Sequence, residues 1–545
     1  MRYSTWNMLP KSRADSLPLS ILAARGITAK EDIECFFDSP LSCLHDPFLL
    51  PDMHKAVERI KKALASNEKI AVYGDYDVDG VTATCLLVEY LRSQNADCVY
   101  FIPNREEDGY GLHDYVIRTM RGDGVSLIVT VDVGVMAFEA ANAAKEAGID
   151  LIITDHHSCK GPLPDAVAVV CPCREDSEYP YARLAGVGVA FKLVCALETG
   201  DDIEQLLLKY GDLVALGTVA DIMPLNDENR ILVSRGLSVL SSAPRLGISF
   251  LLNALGLGGK PVTSSTISYS LAPVLNAAGR MKSPDLALEL LLTKDSARAQ
   301  TLTAVLDEAN AQRRKLEADI YAQAMKECEG IASNALVLSH KDWHQGVTGI
   351  VAAKLLDKYE KPVFIISVNG NTGKGTARCP HGINLMEILE KCSELLLGFG
   401  GHSFAAGFTI ETDKIKDFEY AVQKAVQPSG KREDALVIDA VVVPSDITIW
   451  NAEGIAAMAP FGAANPEPVL MMNGVTIKRI TPLKDGKHLR LLVGAGGMTY
   501  TVICFGFAYN EFPYCAGDAA DIAFCLSLNH FRGDITLQLE LKDIR

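Results

Sequence analysis

The sequence predicts a multidomain α/β protein: two α/β lobes joined by a long helix, the first with a mostly parallel sheet, and then a C-terminal β-barrel. Three observations predict it. The 545 residues exceed what one hydrophobic core supports, and domains of about 100–200 residues make three or four units the expectation. Short apolar runs alternate with segments of helical period, the pattern of a doubly wound sheet. Several of those runs stop at an acidic residue. The balance of 48% hydrophobic and 22% charged residues is that of a folded globular chain rather than a disordered one.

Residues 1–45 read as a polar, mixed lead-in broken by Pro10, Pro18 and Pro40. Regularity begins at Lys69–Tyr73, a short buried strand, followed by helical periodicity over Thr82–Arg92. Further strands are expected at Cys98–Ile102, Ser126–Val131, Leu151–Thr154 and Val167–Val170, with a helix at Met136–Ala147 that Gly148 caps. Asp295–Cys328 has no proline or glycine and carries Arg313-Arg314-Lys315; it reads as one long connecting helix. Strands at Ala335–Leu338 and Val363–Ile366 and a helix at Val347–Lys358 mark the second lobe. Residues 427–434 are polar and turn-rich, a linker. Beyond it, alternating runs at Leu489–Val493, Tyr500–Cys504 and Ile535–Leu541 suggest a small barrel.

No stretch approaches the roughly 20 apolar residues of a membrane span, and Met1–Pro10 lacks the basic and apolar regions of a secretory signal. A cytoplasmic protein is therefore expected. Most of the 14 cysteines, such as Cys85, Cys195 and Cys525, sit alone in apolar surroundings and read as reduced core thiols. Cys159, Cys171 and Cys173 lack a second pair at zinc-ligand spacing. The net charge of −16 argues against a protein that coats nucleic acid nonspecifically, but is compatible with a locally basic cleft and a carboxylate-rich centre.

The strongest feature is Gly74-Asp75-Tyr76-Asp77-Val78-Asp79-Gly80, between a buried strand and a helix. In open α/β sheets ligands gather at the carboxyl ends of strands. The spacing begins like an EF-hand loop, but a strand precedes it and the closing glutamate is missing. Solvated acids at a turn would be the bland reading. Two more strand ends weigh against it: Ser126–Val131 runs into Asp132, and Leu151–Thr154 runs into Asp155-His156-His157. Asp221 is a further candidate, though a helix-terminal acid alone looks the same. Mixed Asp and His ligands without thiolates suit Mn²⁺ or Mg²⁺, and five or six of them suit two ions. Paired ions of this kind serve phosphoester or phosphoanhydride hydrolysis.

Together, Gly74–Gly80, Thr130-Val-Asp-Val-Gly134 and Asp155-His156-His157 resemble the DHH phosphoesterase superfamily. Asn104–Leu112, Asn276-Ala-Ala-Gly-Arg280, Thr376-Ala-Arg378 and Gly400–Gly407 sharpen the resemblance to its RecJ exonuclease family, over nearly the whole chain. The resemblance implies a DHH catalytic domain at 46–230, a helical connector at 231–330, a DHH-associated domain at 331–428 and an OB-fold at 435–545. It implies that Asp77 binds one metal and Asp79 the other, that Asp132 bridges them, and that His156 and Asp221 complete the second site. Asp75 and His157 would lie in or just behind the ligand set. Other DHH branches place a His four residues before the first metal aspartate; Tyr73 stands there, which implies a weaker first site.

For substrate, the resemblance implies that Arg378 and Thr376 hold a terminal 5′ phosphate, an oxyanion that Arg matches bidentately. Gly400 and Gly401 would let backbone amides approach it. Arg105 and Arg280 would meet the strand near the metals, His402 would lie by the scissile phosphate, and Gln312 and Arg313 would reach it from the connecting helix. For each arginine taken alone the plain alternative is an ordinary surface charge, a weaker alternative for Arg280 and Arg378, which sit inside motifs, than for Arg105 and Arg313. Trp450, Phe461 and the Lys478–Arg490 basic residues could form a stacking groove, or the aromatics could be barrel core. The implied activity is 5′ to 3′ removal of nucleotides from single-stranded DNA in recombination and repair, alongside single-strand-binding protein and a helicase. The alternatives are a hydrolase of short oligonucleotides or cyclic dinucleotides, a pyrophosphatase, and an inactive DNA-binding scaffold. The barrel disfavours the first two, and the retained acids disfavour the third.

Overall fold

The structure is a computed structural model that describes all of the chain except residues 1, 13, 106–107, 110, 160, 199–201, 243, 330–332, 427–434 and 532–533. The linker expected at 427–434 thus lies outside the described residues. The chain opens with a strand, β1 (Thr5–Met8), and helices Leu17–Ala24 and Lys30–Asp38. The first lobe contributes β2 (Lys69–Gly74), β3 (Cys98–Phe101), β4 (Val125–Val131), β5 (Asp150–Thr154) and β6 (Ala168–Val170). These form one sheet, ordered β3-β2-β4-β5-β6, with every pair parallel. Helices cover both faces, so the strands are near-continuous apolar runs, and Ile70–Tyr73 and Leu127–Val131 are buried throughout. From β2 the chain moves outward to β3 and returns to β4 on the other side of β2. A crevice opens at the carboxyl ends of strands where order reverses in this way, so the residues after β2 and β4 share one space.

The core of this lobe does not stop at residue 230. Leu240, Ile248, Leu275, Leu288 and Leu302 belong to it, which makes the expected connector largely an extension of the catalytic lobe. The long helix Ser296–Cys328 starts at Asp295, whose carboxylate accepts from the Ala297 and Arg298 amides (2.8 and 3.4 Å). At 1.5 Å per residue it is about 50 Å long. Its first half packs Leu302 and Leu306 into the first lobe, and its second half packs Ile320, Ala324 and Cys328 against the second. It therefore sets the distance between the lobes.

The second lobe is a mixed sheet of β7 (Leu336–His340), β8 (Val363–Asn369), β9 (Thr372–Arg378), β10 (Leu396–Gly401) and β11 (Ala405–Glu411), ordered β10-β11-β9-β8-β7. Only β7 and β8 pair in parallel. The remaining strands are β12 (Ala435–Ile438), β13 (Ala440–Val441), β14 (Leu470–Leu483), β15 (His488–Ala495), β16 (Met498–Cys504), β17 (Ala519–Phe531) and β18 (Asp534–Ile544). β14-β15-β16-β18-β17 close into a barrel through a β14–β17 pairing. Period-two alternation builds it: Leu489, Leu491 and Val493 are buried, while Arg490 between them is exposed.

The N-terminal segment is not a separate lead-in. Ile21 and Leu22 are fully buried in the barrel core, β1 pairs in parallel with β12, and Arg25 meets Asp439 at 2.7 Å. Cys35 and Cys43 are joined by a disulfide, a pairing absent from the expectation of reduced thiols. The barrel is fixed to the catalytic lobe by Arg230. Its guanidinium lies over the Phe36 ring and donates to the carbonyls of Phe36 (2.7 Å), Met458 (3.1 Å) and Ala459 (2.8 Å). Among the described residues no carboxylate pairs with it, and burial pushes its pKa down to about 10. Arg230→Ala strands the Phe36 and Ala459 carbonyls, Met458 O keeping the Asn465 amide at 3.0 Å, and is expected to cost roughly 2–3 kcal/mol. A single melting transition that divides in two in scanning calorimetry would show the barrel released; an unchanged melt would show the contact to be incidental.

Candidate active site

Strand β2 ends at Gly74, and the backbone turns at once into the helix Val78–Ser93, which is buried on nearly all sides. Asp77 caps that helix, accepting from the Gly80 amide at 3.1 Å. Gly80 is required by the turn, because a Cβ there would lie 2.5 Å from the Asp75 carbonyl oxygen. The loop delivers Asp75, Asp77 and Asp79 to the crevice. Asp132 follows β4 in the left-handed region, φ 62°, a conformation that costs about 1–3 kcal/mol in a non-glycine residue and marks functional sites. The helix Ile203–Ala220 brings Asp221 to the same place.

The side chains converge in three overlapping groups whose ligand atoms lie within 4.8 Å of one another: Asp75–Asp77–Asp132, Asp79–His156–Asp221, and Asp132–His156–His157. Asp132 is common to the first and third, and its Oδ1 is 3.0 Å from His156 Nε2. His156 Nε2 also lies 3.8 Å from Asp79 and 3.7 Å from Asp221. Asp75 Oδ1 and Asp221 Oδ2 are buried without a hydrogen-bond partner, and Asp132 Oδ1 has only its contact with His156. Unpaired buried carboxylate oxygens are costly, and a hard cation is the ligand such a donor set fits.

The protonation equilibria carry the same signature. Burial, then the charges of Asp79 and Asp77, push Asp132 well above the usual carboxylate range. Burial, then Asp77, does the same to Asp75. Asp79 is raised by burial. Burial and the Asp79 charge push Asp221 up to about 7. His157 stands at about 9: burial opposes its charge, but the Asp155 hydrogen bond and the Asp155 and Asp132 charges outweigh it.

Asp155 is not aimed at this cluster. Its Oδ1 accepts from His157 Nδ1 (2.7 Å) and the His156 and His157 amides, and its Oδ2 accepts from Val135 N. It therefore orients the two histidines, as carboxylates behind metal-bound imidazoles do. This role is not legible in sequence, nor are two others. Asp79 takes bonds from the Gly186 and Val187 amides (2.7 and 2.9 Å) at the N-terminus of helix Gly186–Leu197. A Cβ on Gly186 would lie 2.5 Å from that of Asp132. Asn276 accepts from the Val78 amide at 3.2 Å. Tyr73, buried, points elsewhere: its hydroxyl donates to Gly111 O. Cys173 donates to the carbonyls of His156 and Ala182, and among the described residues no candidate metal group contains a cysteine.

Across the crevice stands a cationic group. Arg280 spans the lobes, donating to Gly346 O at 3.0 Å, and burial with the charges of Arg105 and Arg313 pushes it down to about 10. Arg378 on β9 is lowered by burial and Arg105, and lies with Thr376 against Gly349. Arg105 lies over the Tyr76 ring. Arg313 is tied to Asn310 and Glu317 on its own helix, so it is less available than expected, and neighbouring Gln312 is exposed. Gly400 and Gly401 end the exposed edge strand β10. His402 follows, its ring parallel to His157 at 6.1 Å between centroids. On the barrel, Trp450 and the basic residues Lys478–Arg490 are exposed, while Phe461 packs against the barrel core.

Three family descriptions match the chain: the DHH family N-terminal domain over residues 69–218, the DHHA1 domain over 332–427 and the RecJ OB domain over 438–543. The single-stranded-DNA-specific exonuclease RecJ of Bacillus subtilis is 35% identical, over 97% of this chain and 67% of its own length. That of Dickeya dadantii is 35% identical over 97% and 96%. The crystal structure of Thermus thermophilus RecJ in complex with Mn²⁺ superposes with a TM-score of 0.85 at 28% identity, covering 99% of this chain and 79% of that one.

The raised carboxyl of Asp221 has a signed consequence for metal-free protein. From the ordinary carboxylate value up to about 7, the folded state holds a proton that the unfolded chain does not, so this site's stability is lost as pH rises through that window. Asp221→Asn mimics the protonated form. In EDTA it is expected to melt several degrees above wild type at pH 8 and to lose most of that advantage only near pH 4, at the ordinary carboxylate value. The same margin at both pH values would contradict the assignment.

Proposed function

The chain belongs to the RecJ family of single-stranded-DNA-specific exonucleases, and on that premise we propose that it removes nucleotides stepwise from the 5′ end of single-stranded DNA by metal-dependent hydrolysis, in recombination and repair. The observation that carries this reading is the pair of buried Asp/His groups sharing Asp132, set opposite the Arg105–Arg280–Arg378 cations.

In this proposal Asp75 and Asp77 hold one divalent ion, Asp79, His156 and Asp221 hold the other, and Asp132 serves both. Two bound Mn²⁺ or Mg²⁺ ions supply the Lewis acidity that activates water and offsets charge building on the phosphoryl group. Asp155 fixes His157 by Nδ1, leaving Nε2 toward the reacting phosphate, with His402 on the facing lobe. Arg378, Thr376 and the Gly400–Gly401 backbone bind the terminal phosphate, which gives the strand its direction. Arg105 and Arg280 hold the backbone beside the metals, and Gln312 and Arg313 meet it further along. Arg280 reaching Gly346 narrows the passage between lobes, which supports one strand over a duplex. Association with single-strand-binding protein and a helicase rests on family membership alone, as does a cytoplasmic setting. No helix among the described residues is long and apolar enough to cross a membrane. The barrel, fixed by Arg230, favours a polymer over a dinucleotide substrate.

Purified protein with Mn²⁺ is expected to shorten a labelled single strand from its 5′ end and to spare a blunt duplex. Asp132→Asn, which tolerates the left-handed backbone, should abolish this with the fold intact. Hydrolysis confined to dinucleotides would replace the proposal with the short-substrate reading; strand binding without hydrolysis under any metal would make the chain a scaffold. Arg378→Ala is expected to raise KM about tenfold for a 5′-phosphorylated strand and much less for a 5′-hydroxyl strand, because a charged hydrogen bond is worth roughly 1.5–3 kcal/mol. Equal effects on both strands would move the terminal-phosphate site elsewhere.

A further inference from the structure

Tyr269 is the most exposed large apolar side chain among the described residues, at 84%, and it has no hydrogen-bond partner among them. It lies on a π-helical turn, Ile267–Leu271, which runs without a break into the helix Ala272–Met281. π-turns are rare and recur at functional sites.

The helix it begins packs against the catalytic loop. Asn276 bonds the Val78 amide, Gly279 stands so close to Tyr76 O that a Cβ would be 2.9 Å away, and Arg280 reaches the second lobe. Asn276 and Arg280, four residues apart, share one face of the α-helix, and Tyr269, seven residues before Asn276 across the π-turn, lies toward the same side, offset by the wider turn. The burial pattern agrees. Tyr269 is exposed and Pro273, Asn276 and Arg280 are partly open, while Leu271, Ala272, Val274, Leu275, Ala277 and Ala278 are buried. The open stripe of this helix is thus a wall of the crevice, with Arg280 at one end and Tyr269 at the other. At 1.5 Å per residue Tyr269 stands roughly 10 Å beyond Asn276, a span of about three stacked bases at ~3.4 Å each. That end faces the barrel: just before it, Ser264 Oγ donates to Phe461 O at 2.5 Å. A second exposed apolar side chain, Ile222 (75%), follows Asp221 directly.

We propose that Tyr269 is a stacking platform for a base of the bound single strand, on the barrel side of the metal centre. The inference rests on the single-strand reading above and adds a positioning residue to it. A lone aromatic ring open to solvent, on a stripe continuous with Asn276 and Arg280, offers a π-face that any base can use. Such stacking needs no sequence preference. It would fix the register in which successive phosphates reach the metals.

The test is steady-state hydrolysis of an oligo-dT strand with Mn²⁺ by wild type, Tyr269→Ala, Tyr269→Phe and a control, Tyr420→Ala, which removes an exposed tyrosine (64%) from the outer helix Ile415–Ala425. Loss of one stacked base is expected to raise KM about tenfold in Tyr269→Ala, with the change in KM rather than kcat. Tyr269→Phe, which keeps the ring, restores the wild-type KM, and Tyr420→Ala leaves it in place. A wild-type KM in Tyr269→Ala overturns the proposal, and so does a Tyr269→Phe variant as impaired as the alanine, because the hydroxyl would then be the group in use. A wild type that does not hydrolyse the strand overturns the single-strand reading itself, a result distinct from either of these.

Discussion

Asp75, Asp79 and Asp132 are buried in one cluster, Asp75 and Asp132 grouped with Asp77, and Asp79 with Asp221 around His156. Their mutual repulsion and lost hydration are the constraint to which the surrounding structure is fitted. Removing even one carboxylate from water costs several kcal/mol unless a partner of opposite charge is present. His156 partners Asp132 Oδ1 and the amides of Gly186 and Val187 supply partial charge to Asp79, but Asp75 Oδ1 and Asp221 Oδ2 are left without a hydrogen bond. The left-handed backbone of Asp132 and the required glycine at 186 follow from the same crowding. Without cations the fold holds this cluster at the expense of its stability; with them, the same charges become affinity.

The rest of the architecture holds two things still relative to that cluster. The long helix Ser296–Cys328 belongs to both lobe cores, so the arginines and His402 stand at a set distance from the carboxylates. Arg230 and the Leu225 amide, which donates to Ala463 O at 2.7 Å, pin the barrel beside the loop that carries Asp221. The acidic net charge of the whole chain is compatible with a polyanionic substrate because Arg105, Arg280 and Arg378 stand together at the cleft. Arg280 and Arg378 both have their charged forms disfavoured by burial and by a neighbouring arginine, a state that a phosphate relieves.

The parts legible in sequence were those built from local pattern. β2, β4 and β5 are short, largely apolar runs followed directly or within one residue by acids, so period and punctuation locate both the sheet and its reactive edge. The long helix was legible from the absence of breakers, and the barrel strands from alternation. Asp221 was not separable from an ordinary helix-terminal acid, because what distinguishes it is a neighbour 65 residues away in sequence, His156. The orienting role of Asp155 depends on side-chain direction, which residue identity does not encode. The docking of the N-terminal segment is not legible in sequence, because its partners, Asp439 and the β12 edge, lie more than 400 positions further on. Tyr269 gave no signal, since a π-turn shifts the helical register without altering composition.

The central claim is that Asp132 joins two metal subsites into one centre. Calorimetric titration of Mn²⁺ into the metal-free protein tests it most directly. Two ions per chain for the wild type, one for Asp221→Asn and neither held tightly by Asp132→Asn is the result this structure predicts. A single ion in the wild type, or two ions retained by Asp132→Asn, would contradict it.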